Sequence, residues 1–127
     1  MPLPAKILLI LGGVAMFLAV AMGAFGAHGL KKVLAPELMA TYETAVHYHF
    51  YHALGLLVVG LSALHWPSAT LLRWAGILMA VGLVLFSGSL YALSLTGLRW
   101  LGAVTPVGGL AFLGAWLLFV IAIMRGA

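Results

Sequence analysis

The chain has 127 residues, of which 65% are hydrophobic and only 6% are charged. Soluble domains contain about 45–50% apolar and about 25% charged residues, so this composition excludes a soluble globular protein. The formal net charge is +4, but the basic residues stand singly or as one pair at the ends of apolar blocks. That placement is typical of anchoring at lipid headgroups and shows no footprint for nucleic acid.

Four apolar blocks are long enough to cross a bilayer, which requires about 20 residues per helix. They are Ile7 to His28, Ala45 to His65, Thr70 to Leu95 and Leu101 to Met124. The first block exceeds the roughly 7–15 apolar residues of a signal peptide, so we expect a retained transmembrane helix. The sequence therefore predicts one all-α domain over residues 1–127, a four-helix transmembrane bundle with up-down topology.

The first helix, predicted over residues 7–28, carries small residues at four-residue spacing: Ala15, Ala19, Gly23 and Ala27. Small residues let helices approach closely in lipid, where packing replaces the hydrophobic effect. The row predicts packing against a neighbouring helix of the bundle, and a homo-oligomer interface is the alternative.

The second helix is predicted over residues 36–65, because Pro36 suits a first helical position and no glycine or proline interrupts residues 38–53. At 1.5 Å per residue this helix spans ~45 Å, more than the ~30 Å hydrocarbon core. Its first turns are therefore expected to form a short interfacial helical extension at the headgroup level. The brief link Trp66-Pro67-Ser68 makes the second and third helices antiparallel neighbours.

The third and fourth helices are predicted over residues 69–95 and 101–124. Thr96-Gly97 ends the third helix, and Thr105-Pro106 resembles an N-cap followed by proline at the first helical position. Residues 98–104 are then expected to form an interfacial or re-entrant piece.

Up-down folding places most of the polar side chains in one half of the bundle. They are His28, Glu43, His47, His49, His52, Ser87, Ser89, Tyr91, Thr96, Arg99 and Thr105. The half that contains the termini is predicted to be an apolar plug. Lysines and arginines divide three against three between the two faces, so they decide no orientation. The free amino terminus favours termini in the cytoplasm.

The predicted ligand-binding site or polar network lies in that polar half. Its candidate residues are His28, Glu43, His47, His49, His52, Ser87, Ser89, Tyr91 and Thr105. Glu43 and His47 are four residues apart on one helix face, and His49 and His52 form a second pair. Such spacings allow a zinc or copper ion, or bis-histidine haem, with His28, His49 and His52 as candidate ligands. A haem- or metal-binding membrane protein is therefore one alternative.

Each histidine also has a plainer explanation. His47 and His49 suit interfacial anchoring beside the tyrosines of an aromatic belt. His52 lies deeper, and a buried imidazole needs a hydrogen-bond partner. Partners are available among Ser87, Ser89, Tyr91 and Glu43. A structural hydrogen-bonded network among these groups is the interpretation that we favour.

The sequence does not favour an enzyme. Ser87 and Ser89 lack the Gly-x-Ser-x-Gly context of a hydrolase nucleophile. A small proton-coupled transporter or channel, with Glu43 or His52 as the titrating group, is a further alternative. A non-enzymatic bundle that binds a ligand or a partner in its polar half is the leading hypothesis.

Four separated motifs carry a family resemblance. They are Gly23-Ala24-Phe25-Gly26-Ala27-His28-Gly29-Leu30, Thr44-Ala45 with the histidine run to Leu54, Phe86-Ser87-Gly88-Ser89-Leu90-Tyr91, and Thr105-Pro106-Val107-Gly108-Gly109. The chain resembles the YgdD/YwdK-like small bacterial inner-membrane proteins, the family of the domain of unknown function four-two-three. The resemblance implies a multi-pass protein of the bacterial inner (plasma) membrane with no established activity or cofactor. The apolar composition makes the lipid bilayer the expected partner, with a homo-oligomer or another membrane protein as the further alternatives.

Overall fold

The computed structural model describes residues 1–127 as four long helices in up-down order, without strands. They are α1 (Leu3–His28), α2 (Pro36–His65), α3 (Thr70–Thr96) and α4 (Thr105–Met124). Most contacts join chain neighbours, because α1 packs along α2, α2 along α3, and α3 along α4. The predicted four-helix transmembrane bundle is confirmed.

Three of these helices are long and apolar enough to cross a membrane by themselves: α1, α3 and α4, with the short helical turns that adjoin them. The second helix is not among them, although it has 30 residues. It packs against both α1 and α3 and runs antiparallel to them. The chain is thus a multi-pass membrane protein.

The helix ends follow the local sequence. α3 ends at Gly97, whose φ of 74° lies in the left-handed region that favours glycine. A 3₁₀ turn, Arg99–Ala103, occupies the predicted interfacial piece, and α4 begins only at Thr105. The predicted start of the fourth helix at residue 101 was therefore too early. α3 begins after Ala69 without a side-chain cap.

A seam with coiled-coil spacing joins α1 to α2. The buried residues of α1 include one small residue every seven positions: Ala5, Gly12, Ala19 and Gly26. Those of α2 include Tyr42, Ala45, His49, His52, Leu56, Val59 and Ala63, at alternating spacings of three and four. Such spacing keeps one stripe facing the partner along the whole contact. Of the row predicted at four-residue spacing, Ala19 lies on this stripe and Gly23 faces Val46 and Phe50 of α2, whereas Ala27 is exposed.

The two halves of the bundle differ as predicted. An apolar cluster from all four helices fills the half that contains the termini: Leu8, Leu56, Val59, Leu72, Ala75, Met79, Ala115 and Ala122. The buried polar side chains lie toward the other half: His49, His52, Ser87, Ser89 and Ser94. Dispersion and close packing hold the first half, and hydrogen bonds add to packing in the second.

The third helix contains one π-helical turn, Leu83–Ser87. At this turn the backbone of Phe86 lies against Gly108 of α4, so that a side chain at position 108 would meet the Phe86 backbone nitrogen. A π-helical turn widens the helix and shifts the faces of all residues that follow it, and such turns are frequent at functional sites. The contact therefore fixes which side chains of α3 face α2 and which face α4.

Gly108→Ala is expected to destabilise the protein by about 1–3 kcal/mol, because overpacking here displaces backbone rather than a flexible side chain. Gly109→Ala is the matched control, since its added Cβ would lie 3.8 Å from the Phe86 ring. Thermal unfolding in one detergent measures both variants. Equal midpoints for the two would show that the backbone contact contributes nothing.

Candidate functional site

His49 connects three helices near the middle of the polar half. Only 8% of the residue is exposed, and its Nδ1 lies 2.8 Å from the Tyr91 hydroxyl of α3. The same imidazole approaches the backbone carbonyl of Ala15 on α1. The prediction that His49 anchors the protein at the interface was therefore wrong. Its position in the α1–α2 seam, not its distance from the helix end, determines its burial.

A groove of about 430 Å³ lies beside His49 and Tyr91, between α1 and α3, and α2 also contributes to its lining. Its lining is mainly apolar, and its polar residues are His49, Ser87 and Tyr91. Ser87 donates a hydrogen bond to the Ala45 carbonyl at 2.9 Å. Tyr42 packs against Tyr91, with ring centroids 5.2 Å apart, and donates its hydroxyl proton to the Met22 carbonyl. The sequence-predicted Ser87 and Tyr91 thus meet His49, not His52. We name this the α1–α3 groove.

His52 has different partners. Trp116 Nε1 donates to His52 Nε2 at 3.0 Å, and His52 Nδ1 lies 2.8 Å from the Tyr48 carbonyl oxygen. An indole nitrogen can only donate, so His52 is the neutral imidazole with its proton on Nδ1. Both ring nitrogens are therefore engaged. The predicted partners Ser87, Ser89, Tyr91 and Glu43 do not bond to it.

Aromatic side chains surround His52. Its ring stacks on the Phe112 ring, with the two ring centroids 3.5 Å apart. The ring centroids of Tyr48 and Phe86 are 4.5 Å apart. A groove of about 640 Å³ lies along this cluster, between α2 and α4. We name it the aromatic groove. Its imidazole and indole nitrogens already bond to one another or to the backbone, which leaves a largely apolar surface.

Ser89 and Thr105 form a tie between α3 and α4. Their hydroxyl oxygens lie 2.6 Å apart, and Ser89 Oγ also lies 3.0 Å from the Phe86 carbonyl oxygen. These two candidate residues are brought together as a pair. They bond to neither His49 nor His52, because Ser89 and Tyr91, two residues apart, lie on different sides of α3.

The remaining candidates lie at the surface. Glu43 and His47 are exposed and share a shallow groove with Lys31. His28 is exposed at the end of α1. The metal candidates His28, His49 and His52 do not converge, and no group of three histidine or acidic side chains is placed to hold a metal ion. The geometry does not support the metal or haem alternative.

Sequence reasoning missed Trp116 as a partner and Tyr42 as a buried residue. Trp116 is the tryptophan of this chain that lies in mid-helix, away from the interface where aromatic belts are expected. A buried indole needs an acceptor, so that position was a usable signal. Tyr42, only 1% exposed, continues the seam spacing of Ala45 and His49.

Comparison with known proteins agrees with this architecture. The family model described as protein of unknown function, DUF423, matches residues 22–109. That segment contains every candidate residue that the sequence predicted. The chain belongs to the DUF423 family. Trp116, the partner of His52, lies beyond the matched segment.

Family relatives match the chain almost from end to end. The UPF0382 membrane protein YwdK of Bacillus subtilis is 47% identical over 120 residues, which is 94% of this chain and 98% of the relative. A UPF0382 membrane protein of Staphylococcus epidermidis is 48% identical over 122 residues, which is 96% of this chain and 98% of the relative. The UPF0382 inner membrane protein YgdD of Escherichia coli K12 is 37% identical over 121 residues, 95% and 92% of the two chains. No solved structure matches the chain.

Trp116→Phe is expected to lower stability by about 1 kcal/mol or more, because it leaves a buried imidazole nitrogen without its donor. Trp74→Phe is the control, since Trp74 is 53% exposed. Thermal unfolding in detergent measures the difference. A double variant with His52→Phe should lose less than the sum of the two single losses. Strict additivity would contradict the proposed coupling.

Proposed function

We propose that this DUF423 member is a non-enzymatic integral protein of the bacterial inner membrane that binds a membrane amphiphile in the α1–α3 groove. The observation that carries the proposal is the combination of an apolar groove of about 430 Å³ with a polar floor of His49, Ser87 and Tyr91. Ligand sites typically combine a mainly apolar lining with a few placed polar groups. The inner-membrane assignment is supported by the printed name of the Escherichia coli relative.

The buried polar groups of the two grooves differ, although the half-exposed Tyr48 also brings a hydroxyl to the aromatic groove. In the aromatic groove, His52 and Trp116 use their ring nitrogens on each other and on the Tyr48 backbone. In the α1–α3 groove, the Tyr91 hydroxyl has one intramolecular partner, and a hydroxyl can donate once and accept twice. Tyr91 and Ser87 can therefore each accept a further hydrogen bond without losing the one that they make.

The expected ligand follows from the shape of the groove. Its α1 side runs from Leu11 to Met22, which corresponds to ~16 Å along the helix. The groove opens laterally, toward lipid, because the exposed side chains around it are apolar. A long apolar tail with one hydroxyl or similar polar group fits both features. The tail would follow Leu11 and Leu18, and the polar group would meet Tyr91.

The hydrogen-bond pattern favours binding over the other candidate functions. Neither Ser87 nor Ser89 bonds to a histidine, so the structure contains no serine–histidine pair for nucleophilic catalysis. Of the two titrating groups considered for transport, His52 is engaged at both nitrogens and Glu43 lies at the exposed rim. Two members of the small-residue row considered for a homo-oligomer, Ala19 and Gly23, face α2 of the same chain.

Leu18→Trp is expected to abolish binding, because Leu18 lines the groove and a larger side chain fills it. Phe17→Trp is the matched control: Phe17 is the preceding residue, is 74% exposed, and does not line the groove. Protein purified in mild detergent is extracted, and co-purified amphiphiles are quantified by mass spectrometry. Retention of the same amphiphile in Leu18→Trp would contradict the proposal.

Tyr91→Phe tests the polar floor separately from the shape. We expect binding to weaken by about fivefold, which corresponds to about 1 kcal/mol for one lost hydrogen bond. The same variant should have little effect on an apolar hydrocarbon probe of equal length. If both ligands weaken equally, Tyr91 acts on the fold and not on the ligand.

We also propose that both termini face the cytoplasm. The chain has no cysteine, so single-cysteine variants can report each face without background. In spheroplasts, a membrane-impermeant maleimide should label Lys32→Cys but not Ser68→Cys, which lies on the same face as the termini. Ser68→Cys should react only after permeabilisation. The reverse pattern would place the termini outside.

A further inference from the structure

A second groove lies between the end of α1 and the start of α2. It has a volume of about 150 Å³ and shares no residue with the α1–α3 groove. Small residues of α1 form its floor, and Lys31, Glu43 and His47 stand at its rim. We name it the headgroup groove. Unlike the α1–α3 groove, it is lined by polar and apolar atoms in similar proportion, which fits a ligand that is itself charged.

Charge is the informative property of this groove. The chain has only two carboxylates, and one of them, Glu43, lines the same small groove as Lys31. A cation and an anion that line one groove match a ligand that carries both of the opposite charges. Such a ligand carries an anion for Lys31 and a cation for Glu43.

The position of the groove limits the ligand further. α1 ends at His28 and α2 begins at Pro36, so the groove lies at a membrane face, at headgroup depth. Deeper along the same two helices, exposed apolar side chains such as Val20 and Leu54 continue toward the bilayer core. These side chains provide a surface for acyl chains. The anion and the cation are therefore best supplied by a zwitterionic phospholipid.

We propose that the headgroup groove binds the phosphoethanolamine group of a phospholipid, with the phosphate at Lys31 and the ammonium at Glu43. A primary ammonium can donate hydrogen bonds to the carboxylate, whereas the trimethylammonium of a choline lipid cannot. A glycerol headgroup carries no cation for Glu43. His47, four residues from Glu43 on the same helix face, also lines the groove.

Native mass spectrometry tests the proposal on the full chain in nanodiscs of defined lipid. Nanodiscs contain ethanolamine, choline and glycerol phospholipids with identical acyl chains in equal amounts. We expect the ethanolamine lipid to be retained about tenfold more than either of the others, because it alone offers both charge-assisted hydrogen bonds. Glu43→Gln should remove that preference, whereas Lys31→Gln should lower the retention of all three lipids, because each of them carries the phosphate. Equal retention of the three lipids by the wild-type protein would overturn the proposal.

Neighbouring charges supply matched controls. Lys32→Gln removes a lysine adjacent to Lys31, and Glu37→Gln removes the other carboxylate, and neither residue lines the groove. Both controls should keep the lipid preference. If they lose it as Glu43→Gln does, the preference reflects general surface charge and the proposed site is refuted. Unchanged thermal midpoints in all four variants confirm that folding is intact.

A soluble competitor distinguishes a phospholipid ligand from a free phosphoethanolamine compound, because the two carry the same headgroup. Glycerophosphoethanolamine carries the headgroup without acyl chains. Failure of millimolar glycerophosphoethanolamine to displace the lipid would support the phospholipid as ligand, since the apolar surface then contributes to binding. Displacement at micromolar concentration would reassign the groove to a free phosphoethanolamine compound. Loss of binding in Glu43→Gln distinguishes both cases from non-specific retention, and neither depends on the α1–α3 groove.

Discussion

Inside a bilayer a buried polar side chain has no water to bond with, so it must find its partner within the protein. Every buried side-chain nitrogen and oxygen atom of this chain has one. The resulting bonds connect different helices: His49 with Tyr91, His52 with Trp116, and Ser89 with Thr105. The polar half therefore gains directional ties, whereas the half with the termini relies on apolar packing.

This constraint also separates histidines that are adjacent in sequence. His47, His49 and His52 occupy different faces of α2, because successive helical residues are rotated by about 100°. His52 is saturated, His49 forms one tie beside a groove, and His47 remains exposed at the headgroup level. A single histidine-rich segment thus contributes to a structural tie, a candidate ligand site and a surface groove.

The sequence predicted the helices and the polar half well, because those properties depend on local composition. Pro36 and Gly97 mark helix ends by their own backbone preferences, and the apolar blocks are too long for any soluble element. The sequence predicted the hydrogen-bond partners of individual side chains poorly. Which side chains of neighbouring helices meet depends on two features. One is the seven-residue spacing of the α1–α2 seam, which was predicted as a four-residue row, and the other is the π-helical turn.

The π-helical turn explains most of the remaining errors. One widened turn at Leu83–Ser87 rotates everything that follows in α3, so Ser87, Ser89 and Tyr91 could not be assigned to faces from an ideal helical period. The missed bond between Trp116 and His52 does not have this cause. Its mid-helix position in α4 indicated a buried donor that required an acceptor, and His52 was the deepest imidazole available.

The lateral grooves result from how the helices diverge. Near the termini α1 touches α3, where Leu8 packs on Gly76 without a side chain between them. Toward the polar half, His49 and Tyr91 stand between the same helices and hold them apart. The α1–α3 groove therefore opens sideways, toward lipid, beside these bulky polar side chains. The amphiphile that we propose as its ligand would enter from within the bilayer, a route that favours amphiphiles over water-soluble compounds.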